Sequence, residues 1–522
     1  MGYLSNFSNK KLNTMKINKI IYGTLVGCIS LSGCTKDFEK VNISPTNVTD
    51  LASNILFTQT MIATSGNEYE AWRTNLIYNS QFVQQFASLN WAQGDKYVYD
   101  EGYQSALWDS YYGNTIKGLV NLVDKTSGVA SDINYNSAAR ILKAFAFLRL
   151  TDSYGDIPYS EAGKGFKSGL FSPKYDDQKA ILADLINELD AAAKSFDATK
   201  AFKGDISTYN GEVTLWKKAA YSLMLRVAMR MSKKDAVAAQ AGVVKAFAGG
   251  VFSDYTESFR IKQLPGAFAN PNSQVLGYYD GARQELATNG FKFSKVFIDW
   301  MKAGADPRLK ILSVVRTAVG NAIGTENDAF AVQKGLPNGV DPANFTGIAT
   351  YSQLRSDFAS ADDPNILVSH GQTLLLLAEA KERGWISAGS SETYFRDGVK
   401  SSINSLKLYN PAVGIIDDAV VNTFVSTTLP FPSGSAARLQ AINEQYYIAS
   451  FLDGYEPHAN WRRSGFPLLS PINFPGNYTN GVIPRRFQYP ASEAGLNGTN
   501  LNAAIAKQGP NTWVTRVWWD SN

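Results

Sequence analysis

The sequence predicts a mainly α-helical protein in which paired helices, tetratricopeptide-like in length, form a frame that carries a loop-rich subdomain with little β-structure. Three observations predict it. Apolar residues recur at helical spacing through most of residues 51–250 and 365–465. Gly, Pro, Asn and Tyr instead accumulate over residues 251–364 and 466–522. A composition with 44% apolar and 12% aromatic residues is too hydrophobic for a disordered chain. No clean 34-residue repeat is present, so the pairing rests on the length and order of the segments.

Taken in order, helices are expected at 74–86 and 103–125. In the next, 137–153, Ile141, Leu142, Phe145 and Leu148 share one face. A helix over 175–196 opens with Asp176 and Asp177, acids that complement the helix dipole. The 216–231 segment is apolar around most of its circumference, which predicts burial. Further helices are expected at 234–248, 369–383, 391–406 and 436–451. Within the first loop-rich stretch, Ile311 to Val315 is a β-prone run. Long irregular excursions on a rigid frame are where binding sites usually sit.

The first 33 residues contain four lysines and no acid, then an apolar stretch from Ile20 to Leu31, then Leu31-Ser32-Gly33-Cys34. This is the pattern of a cleaved secretory signal. The apolar stretch is too short to span a bilayer, which takes about 20 residues. A cysteine directly after small residues forms a lipobox, so Cys34 is expected to be acylated and to begin the mature chain. Residues 34–50 then form a flexible leader, and 51–522 a single domain. Met15 to Cys34 is by itself a complete signal, which leaves open whether translation starts at Met1 or Met15. Cleavage would remove Cys28 and leave 46 basic against 46 acidic residues. Such a balanced chain lacks the basic footprint of a nucleic-acid binder.

The segment Thr151 to Ala162 reads TDSYGDIPYSEA. Gly155 can take a positive φ at a helix end, and Pro158 prevents the helix from resuming. This stop-and-turn resembles the signature turn of the SusD/RagB family of nutrient-binding surface lipoproteins of Bacteroidetes. The resemblance continues in order through PKYDDQKAILADLINELDAA from Pro173, GEVTLWKKAAYSLMLRVAMRMS from Gly211, and ADPRL at Ala305 to Leu309. It then runs through LLLLAEAKERGW from Leu374, INEQYYIASFLDGYEPHANWRRSGFP from Ile442, IPRRFQYP from Ile483 and RVWWD from Arg516.

What the resemblance implies is a SusD-like fold of four tetratricopeptide-like helix pairs packed against a loop-rich subdomain. It also implies an outer-membrane, cell-surface location and partnership with a SusC-like TonB-dependent transporter, with oligosaccharide, or peptide as in RagB, as cargo. A helical-repeat scaffold that binds no small ligand is the third reading. Lys36-Asp37 resembles the charged tag such lipoproteins carry after the cysteine. Trp461-Arg462-Arg463, Asp306-Pro307-Arg308 and Trp518-Trp519-Asp520 read as packing and ion-pair positions, not as a site.

Sugars present apolar C–H faces ringed by hydroxyls, so capture sites combine aromatic platforms with amide, carboxylate or Arg groups. Two stretches fit. One holds Asn90, Trp91, Asp95 and Tyr97; the other holds Tyr278, Tyr279 and Arg283. Trp72, next to Arg73, is a further candidate. Catalysis is not expected: with only His370 and His458 there is little material for a His-based triad or metal site, and no phosphate loop appears. Asp280 and Glu285 are acids in a suitable loop, yet loops commonly carry solvated acids. No cofactor and no metal are expected.

Overall fold

In the computed structural model the described residues are 51–264, 268–272, 291–316, 326–412 and 414–521. By its contacts Ser53–Asn522 forms one compact unit. The signal, Cys34 and the leader lie outside the described residues.

Ten helices supply most of the frame. They are α1 (Ser53–Ser65), α2 (Lys117–Thr126), α3 (Ile133–Tyr154), α4 (Gln178–Ser195), α5 (Val213–Arg230), α6 (Ala236–Gly249), α7 (His370–Glu382), α8 (Ser391–Asn404), α9 (Ser435–Ala449) and α10 (Tyr455–Ser464). Sequence neighbours pack together: α2 on α3, α4 on α5, α7 on α8 and α9 on α10. Helix α5 meets α4, α6, α3 and α7, which explains why Trp216, Leu223, Met224, Leu225 and Met229 are all buried. Its apolar circumference is the mark of a helix surrounded on several sides. Ser369 and Gln372 close a capping box at the start of α7.

The turn after α3 forms as its composition requires. Gly155 adopts φ 89°, and its N–H closes the helix on Thr151 O at 2.8 Å. A Cβ here would lie 1.9 Å from the Gln508 side-chain oxygen. Ile157–Pro158 then pairs antiparallel with Tyr175–Asp176. Those two residues were expected inside a helix; instead α4 starts at Gln178, and Asp176 accepts hydrogen bonds from the Ser160 backbone and hydroxyl.

Two other helices differ from expectation. Over 74–86 the chain is instead the end of a π-helical stretch, Ala71–Asn79, which follows the short helix Glu68–Glu70, then a helical turn, Ser80–Phe82, and then Phe86–Ala87, which pairs with Lys292–Phe293. Asn79 Nδ2 bonds Thr74 O, and Ser80 Oγ bonds Asn75 O, each five residues back. These bonds favour the wider turn. The 103–125 segment likewise breaks into Glu101–Gln104, Ala106–Ser110 and a π-helical Tyr111–Ile116 before α2. Helix α10 was not anticipated, because Pro457 and a run of polar residues obscure it. The loop-rich regions contain small two- and three-stranded sheets, and Ser313–Arg316 supplies a strand at the β-prone run.

The polar motifs are internal. Arg463 donates to both oxygens of Glu379, at 2.6 and 2.7 Å, where both side chains are 1% exposed. Asp306 pairs with Arg308, also fully buried. Asp520 holds Arg485 and Arg516. The Arg463–Glu379 pair joins α10 to α7, and Arg463 also reaches Asn443 of α9 and Ser232 just after α5.

Candidate functional site

The π-helical stretch Ala71–Asn79 and the loop Ser88–Val98 place most of the aromatic candidates. Asn67 caps the helix start by accepting from Glu70 N–H at 2.9 Å. From there Tyr69, Trp72 and Arg73 project on one side, at the three- and four-residue spacing that aligns helical side chains. Arg73 lies over the Tyr69 ring, its Cζ 3.3 Å from the centroid, and 4.7 Å from the Tyr103 centroid. Trp72 meets Tyr103 at 5.7 Å and Trp91 edge-to-face at 5.5 Å, and Trp91 leans on Phe291 at 6.1 Å.

The result is a continuous arc, Tyr69, Arg73, Tyr103, Trp72, Trp91 and Phe291. Trp72, Trp91, Arg73 and Tyr103 are half-buried and Tyr69 is 52% exposed, whereas Phe291 is buried. Half-buried rings have one part anchored in the fold and another part in water.

The loop that carries Trp91 is held firmly. The buried Gln81 side chain donates to Trp91 O at 2.8 Å and accepts from Asp95 N–H at 2.8 Å. The Trp91 N–H reaches the Ser88 hydroxyl at 3.3 Å. Gly94 lies against the helix backbone so closely that a Cβ would be 2.0 Å from Ile77 O. Only glycine allows that approach.

Asn90 is exposed at the head of this loop. Asp95 and Tyr97, expected at the ligand surface, are instead inside. Asp95 is 1% exposed and accepts from Asn338 Nδ2 and, at 3.0 Å, Gly339 N–H. Tyr97 is fully buried with a left-handed φ of 54°; its hydroxyl accepts from Ile472 N–H at 3.3 Å and its ring packs on Phe82. Both act as anchors between the loop and distant segments. Tyr278, Tyr279 and Arg283, with Asp280 and Glu285, lie outside the described residues. Tyr69 and Tyr103 were missed by sequence reasoning, although the Tyr69-x-x-Trp72-Arg73 spacing was a visible signal.

Burial pushes Asp95 up to about 7 despite the two hydrogen bonds its carboxylate accepts, and likewise pushes Glu70, which accepts from the Tyr455 hydroxyl, up to about 7. A carboxyl whose folded pKa is raised stabilises the fold below its unfolded value near 4, and that contribution is lost as pH climbs through about 7. Burial alone would also raise Glu379 and Glu456. The arginines around them prevail and hold both down to about 2, so their contribution is lost as pH falls below about 4.5. The unfolding temperature is therefore expected to peak near pH 5 and to fall at both pH 8 and pH 3. Glu70→Gln should flatten the alkaline side in a thermal-denaturation series; an unchanged slope would refute the assignment.

Among the described residues no group of three or more His, Cys, Asp or Glu is placed to hold a metal ion, and no helix is long and apolar enough to cross a membrane. His370 is buried, bonded to Ser401 at 3.0 Å, and burial lowers it to about 4. His458 is buried between Asn79 and Pro484 O. Neither histidine faces the arc.

Comparison with known proteins adds the family. The family model described as starch-binding and associating with the outer membrane, SusD-like, matches residues 45–490. A solved chitin-binding protein is 32% identical, with 90% of this chain and 100% of that one covered at a TM-score of 0.80. A Bacteroidetes SusD-like structure is 22% identical over 90% and 100% at 0.78, and a chitin-binding SusD homologue from Flavobacterium johnsoniae is 22% identical over 90% and 98% at 0.74. No curated protein sequence matches. The signature turn, the helix pairs and a family match spanning residues 45–490 agree, and the chain belongs to the SusD-like family.

Proposed function

We propose that this protein is a surface lipoprotein, acylated at Cys34, that captures oligosaccharide on the Tyr69–Trp91 arc and passes it to a SusC-like TonB-dependent transporter. The observation that carries the proposal is the arc itself: contiguous aromatic rings, of which Trp72, Tyr103 and Trp91 are half-buried, with Trp91 on a fixed loop and an arginine among them. Stacked rings match the apolar faces of successive sugar units, and amide or guanidinium groups meet the hydroxyls between them. The likeness to a chitin-binding protein at 32% identity supports chains of β-linked N-acetylglucosamine as the first ligand to test. The protein acts by binding, without chemistry of its own.

Calorimetry with N-acetylchitohexaose tests the ligand. Trp91→Ala is expected to weaken binding by roughly 5- to 30-fold, the effect of about 1–2 kcal/mol from one aromatic contact, with the unfolding temperature little changed. Unchanged affinity removes Trp91 from the surface. The transporter partnership fails if purification from intact outer membranes at native expression recovers no β-barrel protein.

A further inference from the structure

We propose that Arg73 reads a planar oxygen on the ligand, the acetamido carbonyl of an N-acetylated sugar, and so sets which glycans the arc prefers. The proposal rests on the binding surface assigned above and goes beyond it by naming the group recognised and the residue that recognises it.

Arg73, like Arg260, Arg462 and Arg486, has no carboxylate partner among the described residues, and of these four it is the one set among the rings of the arc. Arg463, Arg230 and Arg308 are each matched by buried carboxylates. Arg73 has no carboxylate within 4.0 Å among the described residues. Its one hydrogen bond to them runs from Nη1 to Gly102 O at 3.0 Å, while Nε is buried without a partner. A guanidinium carries five N–H donors in a rigid fork, and among the described residues one bond, to Gly102 O, draws on those of Arg73. The guanidinium carbon lies 3.3 Å from the Tyr69 centroid, 4.7 Å from that of Tyr103 and 5.5 Å from that of Trp72. A guanidinium already packed against rings has part of its ordering completed in the fold, so less rotamer entropy is lost when a ligand arrives.

The chemistry that satisfies such a group is a strong acceptor with no proton of its own. A sugar hydroxyl is both donor and acceptor and gains little from a cation over water. A carbonyl or carboxylate oxygen is acceptor only, and its hydrogen bond to a charged donor is stronger than one between neutral groups. The acetamido group adds a methyl that the neighbouring rings of Trp72 and Tyr103 can cover. A uronic acid carboxylate offers the same oxygen chemistry without that methyl.

The test measures binding of the full-length lipoprotein in detergent to three hexasaccharides: N-acetylchitohexaose, cellohexaose and hexagalacturonate. Arg73→Gln is expected to weaken N-acetylchitohexaose by about tenfold, the effect of losing one charge-assisted hydrogen bond, and to leave cellohexaose within about twofold. Preference between the two then collapses. If Arg73→Gln fails to fold, as judged by its unfolding temperature, Arg73→Lys serves instead, keeping the charge but losing the flat fork. Equal loss for all three ligands, or no change for any, overturns the proposal. Selective loss for hexagalacturonate alone overturns the acetamido assignment and identifies the carboxylate as the source of the oxygen. If the unsubstituted protein binds none of the three, the binding surface is wrong and the proposal falls with it, an outcome distinct from the others because no variant is needed to see it.

Discussion

Replacing Glu379 by alanine is expected to lower the unfolding free energy by about 3–5 kcal/mol, the cost of leaving a buried charge without its partner. Glu379 receives both terminal nitrogens of Arg463, and Arg383 at 2.8 Å, with Asn443 Nδ2 at 3.2 Å. Removing it strands the guanidinium of Arg463 between α5, α7, α9 and α10, with only Ser232, Asn443 and Asn460 left as acceptors. Those three neutral oxygens satisfy geometry but not charge. Glu379→Gln should be less severe, since one acceptor oxygen survives. Chemical denaturation of the two variants beside the unsubstituted protein decides the matter: a loss under about 1 kcal/mol for the alanine variant, the range of an exposed pair, would show that the pair is not the tie described.

The second large effect is expected from the smallest substitution, Gly94→Ala. The added carbon would sit 2.0 Å from Ile77 O and 2.9 Å from Tyr78 Cα and O, all backbone atoms of the π-helical stretch that cannot turn aside. The loop must move, and overpacking of this kind costs about 1–3 kcal/mol. Movement breaks the two bonds from Gln81 and shifts Trp91 off Trp72. Stability and ligand affinity should therefore fall together, whereas Trp91→Ala lowers affinity alone. Calorimetry paired with thermal denaturation separates the two patterns. A Gly94→Ala protein with unaltered affinity would mean that the loop does not position the ligand surface.

Legibility in the sequence followed the range of the interactions responsible. Helices α3, α5 and α7 were evident because their apolar spacing, caps and terminating residues are local. The family resemblance, carried by seven further segments in order behind the TDSYGDIPYSEA turn, was also a property of the chain itself. The wide turns at Ala71–Asn79 were not evident, since they depend on Asn79 and Ser80 side chains choosing carbonyls five residues back. Asp95 and Tyr97 looked like ligand groups next to Trp91. What buries them comes from Asn338–Gly339 and Ile472, hundreds of residues away, and nothing local announces it. Trp72 and Trp91 were singled out separately; that they touch edge-to-face could not be read from positions nineteen apart.

The fastening of the Ser88–Val98 loop bears on how such a protein has to work. A receptor facing dilute nutrient benefits when ordering is completed during folding instead of at each encounter. Gln81, Asp95, Tyr97 and Gly94 fasten the loop to the frame at four points, so the Trp91 ring is in place before any sugar arrives. Capture on the proposed surface would then be docking onto a rigid template, with specificity set by which chains fit the spacing of the rings and the reach of Arg73, not by which chains can induce a fit.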